Sequence, residues 1–293
     1  MLKKVLLFLF FVITLGFIFL SNKKQEIKAD FVNENSKPVV EEISLQDKID
    51  QLFIIGFRGS SLDKAPELKK ALSETNLGGV ILFDYDTPSK KYNRNILSSS
   101  QLTSLINEIK SNSKTSIFIS IDEEGGKVSR LKNIKGFSVT PSAQTLGTYS
   151  DEKVATIASG LGEKLSSFGF NIDFAPVLDV NVNPKSPAIG AYGRSFSSLQ
   201  SVVSGKGVAF IKGLESQNII SVGKHYPGHG SATADSHKGL ADVTKTYKNY
   251  ESVPFQKACE AGISAIMIGH LFNINVDKNF PATMSKVHIE NLK

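Results

Sequence analysis

The chain has 293 residues, of which 41% are apolar, and it carries a formal net charge of +6. This length and apolar content are enough to bury the core of one large domain, and they exclude a largely disordered chain. The lysines behind the charge are scattered and form no compact basic run with aromatics, so we expect no nucleic-acid partner.

Residues 1–24 have the layout of a signal peptide or an N-terminal membrane anchor. Lysines lie on both sides of an uncharged, almost wholly apolar run from Val5 to Leu20. This run would rise about 24 Å as a helix, less than the ~30 Å hydrocarbon core, which favours a cleaved signal. No small-x-small site follows Leu20, however, which favours an uncleaved anchor. We expect an exported monomer, extracellular or at the cell surface, which contacts the membrane through this segment if it is not removed.

Residues 25–43 are polar and show little periodicity, which is typical of a linker. The folded domain is predicted to span residues 44–293. Ser44 is placed to cap a first helix, because apolar residues at helical spacing follow it. The only cysteine, Cys259, has no partner for an internal disulfide, and its helical context predicts a small core residue.

Short apolar runs alternate with longer helical patterns along this domain. The predicted strands are residues 54–59, 78–83, 116–121, 171–180, 219–223 and 264–269. The clearest predicted helices are residues 100–112, 151–169 and 199–216. Serial βα units with a parallel sheet follow from this order.

Two α/β architectures fit serial βα units. An open doubly wound sheet is disfavoured, because no glycine-rich phosphate loop opens a helix after the first strand. Polar residues crowd the C-terminal ends of several strands, where (β/α)8 barrels build their active sites. We therefore predict a TIM-barrel fold that is incomplete, with about six of its eight βα units within the 293 residues.

Residues 223–240 hold three of the five histidines, and they follow a predicted strand. A metal site is one interpretation, but His225 and His229 are separated by Pro227 and Gly228, so they cannot share one helical face as zinc-binding histidines do. The triplet from Asp235 to His237 suggests instead a carboxylate that orients an imidazole, an arrangement that can shuttle protons. A nucleophilic serine between them is a weaker alternative, because no G-x-S-x-G elbow occurs.

The motif KHYPGHG (224–230), followed by DSH (235–237), resembles the signature of family 3 glycoside hydrolases of the β-N-acetylglucosaminidase type. Four further regions resemble that family in the same order: IDEEGGKVSRL (121–131), FAPVLDV (174–180), IGAYGRSF (189–196), and IMIGHLF (266–272) with PATMS (281–285). The resemblance covers about residue 44 to the end. It implies a carbohydrate substrate containing β-linked N-acetylglucosamine, with peptidoglycan-derived muropeptides as the expected source, and it implies no cofactor and no metal.

The resemblance also assigns roles to individual residues. The residues implied to hold the N-acetylglucosamine ring are Asp122, Arg130, Arg194, Lys224 and His225. Carboxylate acceptors and cationic donors can fix a polyol by directional hydrogen bonds. Taken alone, Asp122 and Arg130 could equally form a structural ion pair. His237 is implied to be the general acid/base and Asp235 its partner, in place of the second carboxylate that most retaining glycosidases use.

The sequence departs from the family pattern at three points. Lys127 stands where the family usually has arginine, and extra residues surround Gly193. The family's nucleophilic aspartate follows the seventh strand, at a position expected beyond Lys293, and no acidic residue in this chain takes that role by resemblance. Three hypotheses therefore stand: a retaining β-N-acetylglucosaminidase of cell-wall turnover, a non-catalytic cell-wall sugar-binding module, and, third, a metal-dependent hydrolase, which alone of the three would need a metal.

Overall fold

The structure is a computed structural model that describes residues 43–292. The predicted signal or anchor segment and nearly all of the predicted linker lie outside these residues, so both stay predictions. Within residues 43–292, no helix has the length and apolar character needed to cross a membrane.

Twelve short strands occur in the described part of the chain. In chain order they are β1 (Ile54–Gly56), β2 (Gly79–Ile81), β3 (Tyr85–Asp86), β4 (Lys91–Tyr92), β5 (Phe118–Ile121), β6 (Glu123–Gly125), β7 (Val128–Ser129), β8 (Ile172–Asp173), β9 (Ile220–Tyr226), β10 (Ala241–Asp242), β11 (Ala265–Ile268) and β12 (Leu271–Phe272). Six of them form one sheet in the order β1-β2-β5-β8-β9-β11, and each neighbouring pair is parallel.

Helices connect these strands. They are α1 (Leu45–Asp50), α2 (Pro66–Glu74), α3 (Ser99–Asn112), α4 (Ala143–Leu146), α5 (Asp151–Phe168), α6 (Gln200–Glu215), α7 (Val253–Glu260) and α8 (Lys286–Leu292). Each of the six predicted strands overlaps one strand of the parallel sheet, and the three clearest predicted helices correspond to α3, α5 and α6. The prediction of an incomplete (β/α)8 barrel is confirmed.

The fourth strand is shorter than its apolar run predicts. Regular pairing covers only β8, although the run extends over residues 171–180. Pro176 has no N–H to donate to a neighbouring strand. Pairing therefore continues irregularly: Lys224 donates its N–H to the carbonyl of Pro176, and Leu178 donates to the carbonyl of Lys224.

The helices cover the outer face of the sheet with apolar residues. The buried positions of α3 recur at helical spacing, at Leu102, Leu105, Ile106 and Ile109. Helices α5 and α6 lie so close that a Cβ on Gly213 would be 2.5 Å from the carbonyl oxygen of Ala155. The face of the sheet opposite the helices carries an open apolar pocket of about 430 Å³ near the N-terminal ends of the strands. The polar residues therefore gather at the opposite, C-terminal ends.

The prediction that Cys259 is a core residue is wrong. Its side chain is exposed on α7, whereas the preceding Ala258 is completely buried. Successive positions on a helix point about 100° apart, so only one of these two small residues can face the sheet. Phe255, one turn earlier, shares the buried face with Ala258.

Candidate active site

Lys224 is the centre of a buried charged cluster at the end of β9. Its side chain is 2% exposed, and Nζ lies 2.7 Å from Asp122 Oδ1 and 2.6 Å from Glu124 Oε1. Burial lowers the pKa of this ammonium, but Asp122 and Glu124 outweigh burial and raise it above its ordinary value. Lys224 therefore remains charged and holds the carboxylates of two residues that follow β5.

Glu124 connects Lys224 to Arg194. The guanidinium of Arg194 donates from Nε and Nη2 to the two carboxylate oxygens of Glu124, at 2.8 and 2.7 Å, and from Nη1 to the carbonyl of Ala188 at 2.7 Å. Burial raises the pKa of Glu124, but Lys224 and Arg194 outweigh it and hold that pKa well below its usual range. This bidentate pair fixes the orientation of a cation that the sequence predicts to bind sugar.

Arg130 lies between two carboxylates without a close bond to either. Its Nη2 is 3.7 Å from Asp122 Oδ2, and its Nη1 is 3.8 Å from Asp84 Oδ1. Both Asp84 oxygens and Arg130 Nε are buried, and none has a hydrogen-bond partner among the described residues. Because buried polar groups are normally hydrogen-bonded, this side of the cluster retains capacity for a ligand's hydroxyl groups.

His225 is oriented by Asp179, which is completely buried. The two residues are joined at 2.7 Å between His225 Nδ1 and Asp179 Oδ2, and the Asp179 carboxylate also accepts the backbone N–H of His225 at 3.2 Å. Burial lowers the pKa of His225, and the neighbouring Asp179 opposes this only in part. The imidazole is thus neutral, with its proton on Nδ1, so Nε2 can accept a hydrogen bond.

Asp235 and His237 form a pair on a separate loop. Asp235 Oδ1 accepts the backbone N–H of His237 at 3.0 Å and lies 2.8 Å from its Nδ1. Burial raises the pKa of Asp235, but its hydrogen bonds from His237 lower it more, so the net shift is downward. The His237 side chain is 76% exposed. This geometry places the proton on Nδ1 and leaves Nε2 free to exchange a proton with a substrate.

The structure therefore separates the seven predicted site residues into two groups. Asp122, Arg130, Arg194 and Lys224 share one charged cluster, and His225 follows Lys224 directly. Within residues 43–292, the loop pair makes no hydrogen bond to any of these five. The functional roles of all seven stay predictions.

Sequence reasoning did not assign Glu124 and Asp179, although each orients a predicted sugar-binding residue. Both follow strands of the sheet, and both lie within segments that resemble the family, 121–131 and 174–180, so these two signals could have found them. Among residues 43–292, no group of three or more histidine, cysteine or acidic side chains is placed to hold a metal ion.

Glu123 is completely buried behind the site. Its Oε2 accepts the backbone N–H groups of Arg130 and Leu131, at 2.8 and 3.1 Å, and its own N–H donates to Asp173 Oδ1 at 2.9 Å. Burial raises the pKa of Glu123 to about 7. Burial, together with the Glu123 carboxyl, also raises the pKa of Asp173 well above its ordinary value. Glu123 thus fixes the backbone that carries Arg130, and it is best accommodated there with its proton.

We expect Glu123→Gln to stabilise the protein increasingly as pH rises. Folded Glu123 holds its proton more tightly than the unfolded chain does, so its stabilising effect is complete below the unfolded pKa and is lost as pH rises through about 7. The uncharged amide avoids this loss. The gain should be near zero at pH 4 and reach about 3 kcal/mol at pH 8.

Urea unfolding of both proteins at these two pH values measures the gain. Glu290→Gln is the matched control, because the Glu290 side chain is 60% exposed and its replacement should have the same small effect at both pH values. A Glu123→Gln gain that does not change with pH would contradict the prediction.

A protein-family profile and individual known proteins both match this chain. The profile of the Glycosyl hydrolase family 3 N terminal domain matches residues 44–293. Beta-hexosaminidase A of Pseudoalteromonas piscicida is 38% identical over 186 residues, which cover 61% of this chain and 29% of that protein.

Two solved structures are also similar. A glycoside hydrolase family 3 beta-N-acetylglucosaminidase from Paenibacillus sp. str. FPU-7 has a TM-score of 0.77 at 32% identity, over 86% of this chain and 47% of that one. NagZ from Neisseria gonorrhoeae, in complex with N-trifluoroacetyl-D-glucosamine, has a TM-score of 0.69 at 29% identity, over 80% of this chain and 67% of that one. The chain thus spans less than half the length of the Pseudoalteromonas and Paenibacillus relatives.

Proposed function

Because the chain belongs to glycosyl hydrolase family 3, we propose that it supplies the sugar pocket and the acid/base pair for retaining hydrolysis of terminal β-linked N-acetylglucosamine. The main support is the buried cluster in which Lys224 lies between Asp122 and Glu124, and in which Glu124 also holds Arg194. This cluster unites residues from three distant parts of the sequence at the C-terminal ends of parallel strands, where barrel enzymes bind their substrates.

The charge balance of the cluster favours a neutral sugar over an anionic ligand. Lys224, Arg194 and Arg130 each lie within 4 Å of a carboxylate. None of these three cations is therefore free to neutralise a phosphate. A polyol fits better, because each hydroxyl group can donate to a carboxylate and accept from a cation at the same time.

The proposed reaction assigns a role to each of the seven residues. Asp122, Arg130, Arg194, Lys224 and His225 hold the ring. An aspartate attacks the anomeric carbon in the mechanism that the family resemblance implies, while His237 Nε2 protonates the departing glycosidic oxygen. Water then attacks the glycosyl-enzyme, His237 removes its proton, and the configuration is retained. Asp235 keeps the His237 proton on Nδ1, so that Nε2 carries out both transfers.

Two relatives support the acetamido sugar. The Paenibacillus protein is named a beta-N-acetylglucosaminidase, and the Neisseria NagZ structure contains N-trifluoroacetyl-D-glucosamine. The sequence features that suggest export support a reaction outside the cytoplasm, and the net charge of +6 suits an anionic cell wall. We therefore propose saccharides derived from peptidoglycan as the substrates, in turnover or recycling of the wall.

The test is release of nitrophenol from p-nitrophenyl β-N-acetylglucosaminide, compared with the corresponding β-glucoside. It should be made on the 293-residue chain and, where the reading frame continues past Lys293, on the longer product. We expect a preference of about tenfold or more for the acetamido sugar. Chelators should have no effect, and a loss of activity on chelation would favour the metal-dependent alternative. If the 293-residue chain and any longer protein both bind N-acetylglucosamine but hydrolyse neither glycoside, the sugar-binding module is favoured.

A further inference from the structure

The loop that carries Asp235 and His237 has a single side-chain attachment to the barrel. Within the described chain, the one side-chain hydrogen bond between residues 233–239 and the remainder joins Ser236 Oγ to His229 Nε2, at 3.0 Å. The other hydrogen bonds of the segment are internal, from His237 and Lys238 to Asp235. The position of the exposed pair therefore depends on where Ser236 is held.

His229 is itself a fixed point. It is 2% exposed, and its backbone N–H donates to Asp179 Oδ1 at 2.7 Å. Its ring packs edge-to-face against the His225 ring, with centroids 5.8 Å apart. The following Gly230 lies so close to Val180 that an added Cβ would be 1.7 Å from the Val180 carbonyl oxygen. The same carboxylate, Asp179, thus orients His225 in the sugar cluster and His229 beneath the loop.

The position of the proton on the His229 ring decides which residue is the donor in its hydrogen bond with Ser236. Its Nδ1 is buried and has no partner among the described residues. A buried N–H without an acceptor is costly, so the proton belongs on Nε2. His229 Nε2 then donates to Ser236 Oγ, which lies between the two members of the pair in sequence. Ser236 is held as an acceptor, and its own hydroxyl proton remains free.

We propose that His229 is a positioning residue, which acts through Ser236 to hold the Asp235–His237 pair at the sugar pocket. This inference rests on the proposed function, in which His237 is the acid/base. His229 does not touch the substrate, and its contribution is the alignment of a proton donor with the leaving oxygen. Because general-acid transfer requires hydrogen-bond geometry, a loosened loop reduces the fraction of molecules that are aligned for it.

The kinetic test uses Ser236→Ala, made in whichever of the 293-residue chain and its longer product releases nitrophenol, and a series of aryl β-N-acetylglucosaminides with leaving groups of different acidity. A good leaving group such as 2,4-dinitrophenol needs little protonation, whereas phenol depends on it. We expect kcat/KM of Ser236→Ala to fall about five- to tenfold for the phenyl glycoside, and less than about twofold for the dinitrophenyl glycoside. A general structural defect would lower both values equally, and that outcome would overturn the proposal.

Two further variants control this experiment. Thr233→Ala removes another hydroxyl group from the same loop, at an exposed position whose side chain makes no hydrogen bond within residues 43–292, and it should leave both rates unchanged. Ser236→Thr retains a hydroxyl group and should restore most of the rate on the phenyl glycoside. Failure of the threonine variant to restore any rate, with the loop intact by the measurement below, would also overturn the proposal.

A second measurement needs no turnover and separates this inference from the proposed function. Lys238 is exposed beside the pair, so trypsin can cleave after it when the loop opens. We expect initial cleavage there to be about fivefold faster in Ser236→Ala than in wild type, and unchanged in Thr233→Ala. Equal rates in all three proteins would overturn the attachment. Faster cleavage of Ser236→Ala, in a protein whose 293-residue chain and longer product are both inactive as wild type, would leave the attachment in place and reject the proposed function instead.

Discussion

Lys224→Met is expected to abolish binding of N-acetylglucosamine and to lower the free energy of unfolding by about 3–5 kcal/mol. Lys224 is the one cation within 3 Å of both Asp122 and Glu124 in the described chain, and its side chain is 2% exposed. Methionine keeps much of the length of the side chain but removes the charge, which leaves two carboxylates close together. Isothermal titration with N-acetylglucosamine and urea unfolding would measure the two losses.

A double variant separates charge from packing in this experiment. Glu124 still has its bidentate bond to Arg194 when Lys224 is replaced, whereas Asp122 keeps only Arg130, at 3.7 Å. Asp122→Asn combined with Lys224→Met removes the less protected charge and should recover about 1–2 kcal/mol of the lost stability. It should not recover sugar binding. Additive effects of the two substitutions on stability would contradict direct coupling between these residues.

The parts of the fold that the sequence predicts well have strong local signals. Helix α5 begins after Ser150, whose side chain accepts the N–H of Lys153, and it ends at Gly169 in the left-handed conformation. Both boundaries follow from local chemistry, so the predicted range of 151–169 is nearly that of the structure. The six sheet strands are similarly evident, because each is a short apolar run between helices.

Short pairings and surface orientation are much harder to predict. The hairpin of β6 and β7 contains polar residues such as Glu123 and has no periodic pattern to reveal it. Its geometry depends on Asp173, which is 50 residues away in sequence and binds the backbone of Glu123. In α7, eight residues give too short a pattern to decide whether Ala258 or Cys259 faces the core.

The candidate site likewise contains residues that the sequence identifies and residues that only the structure identifies. Family resemblance names Lys224 and Asp122, which are 102 residues apart, because a motif surrounds each of them. It does not show that Glu124 joins Lys224 to Arg194, a contact that spans 70 residues on the arginine side. A lone acidic residue after a strand gives no sign of which cation it will meet. Only the folded arrangement identifies Glu124 and Asp179 as the groups that orient the sugar-binding side chains.

His237→Ala should reduce kcat/KM on the phenyl glycoside by about 10²–10⁴-fold, because a methyl group cannot protonate the leaving oxygen. The His237 side chain is 76% exposed, so its removal should leave the free energy of unfolding within about 0.5 kcal/mol of wild type. Loss of activity at unchanged stability would identify a chemical role. Full activity in the variant would assign the proton transfer to another residue.

Azide adds a test of the second half of the reaction. A glycosyl-enzyme without its general base reacts slowly with water, but azide is already an anion and attacks the anomeric carbon without giving up a proton. Azide should therefore accelerate turnover of the dinitrophenyl glycoside by His237→Ala and release a β-glycosyl azide. Wild type and the neighbouring Lys238→Ala should respond little, since both retain the base. An α-glycosyl azide would contradict a retaining mechanism, because two inversions at the anomeric carbon preserve the β configuration of the substrate.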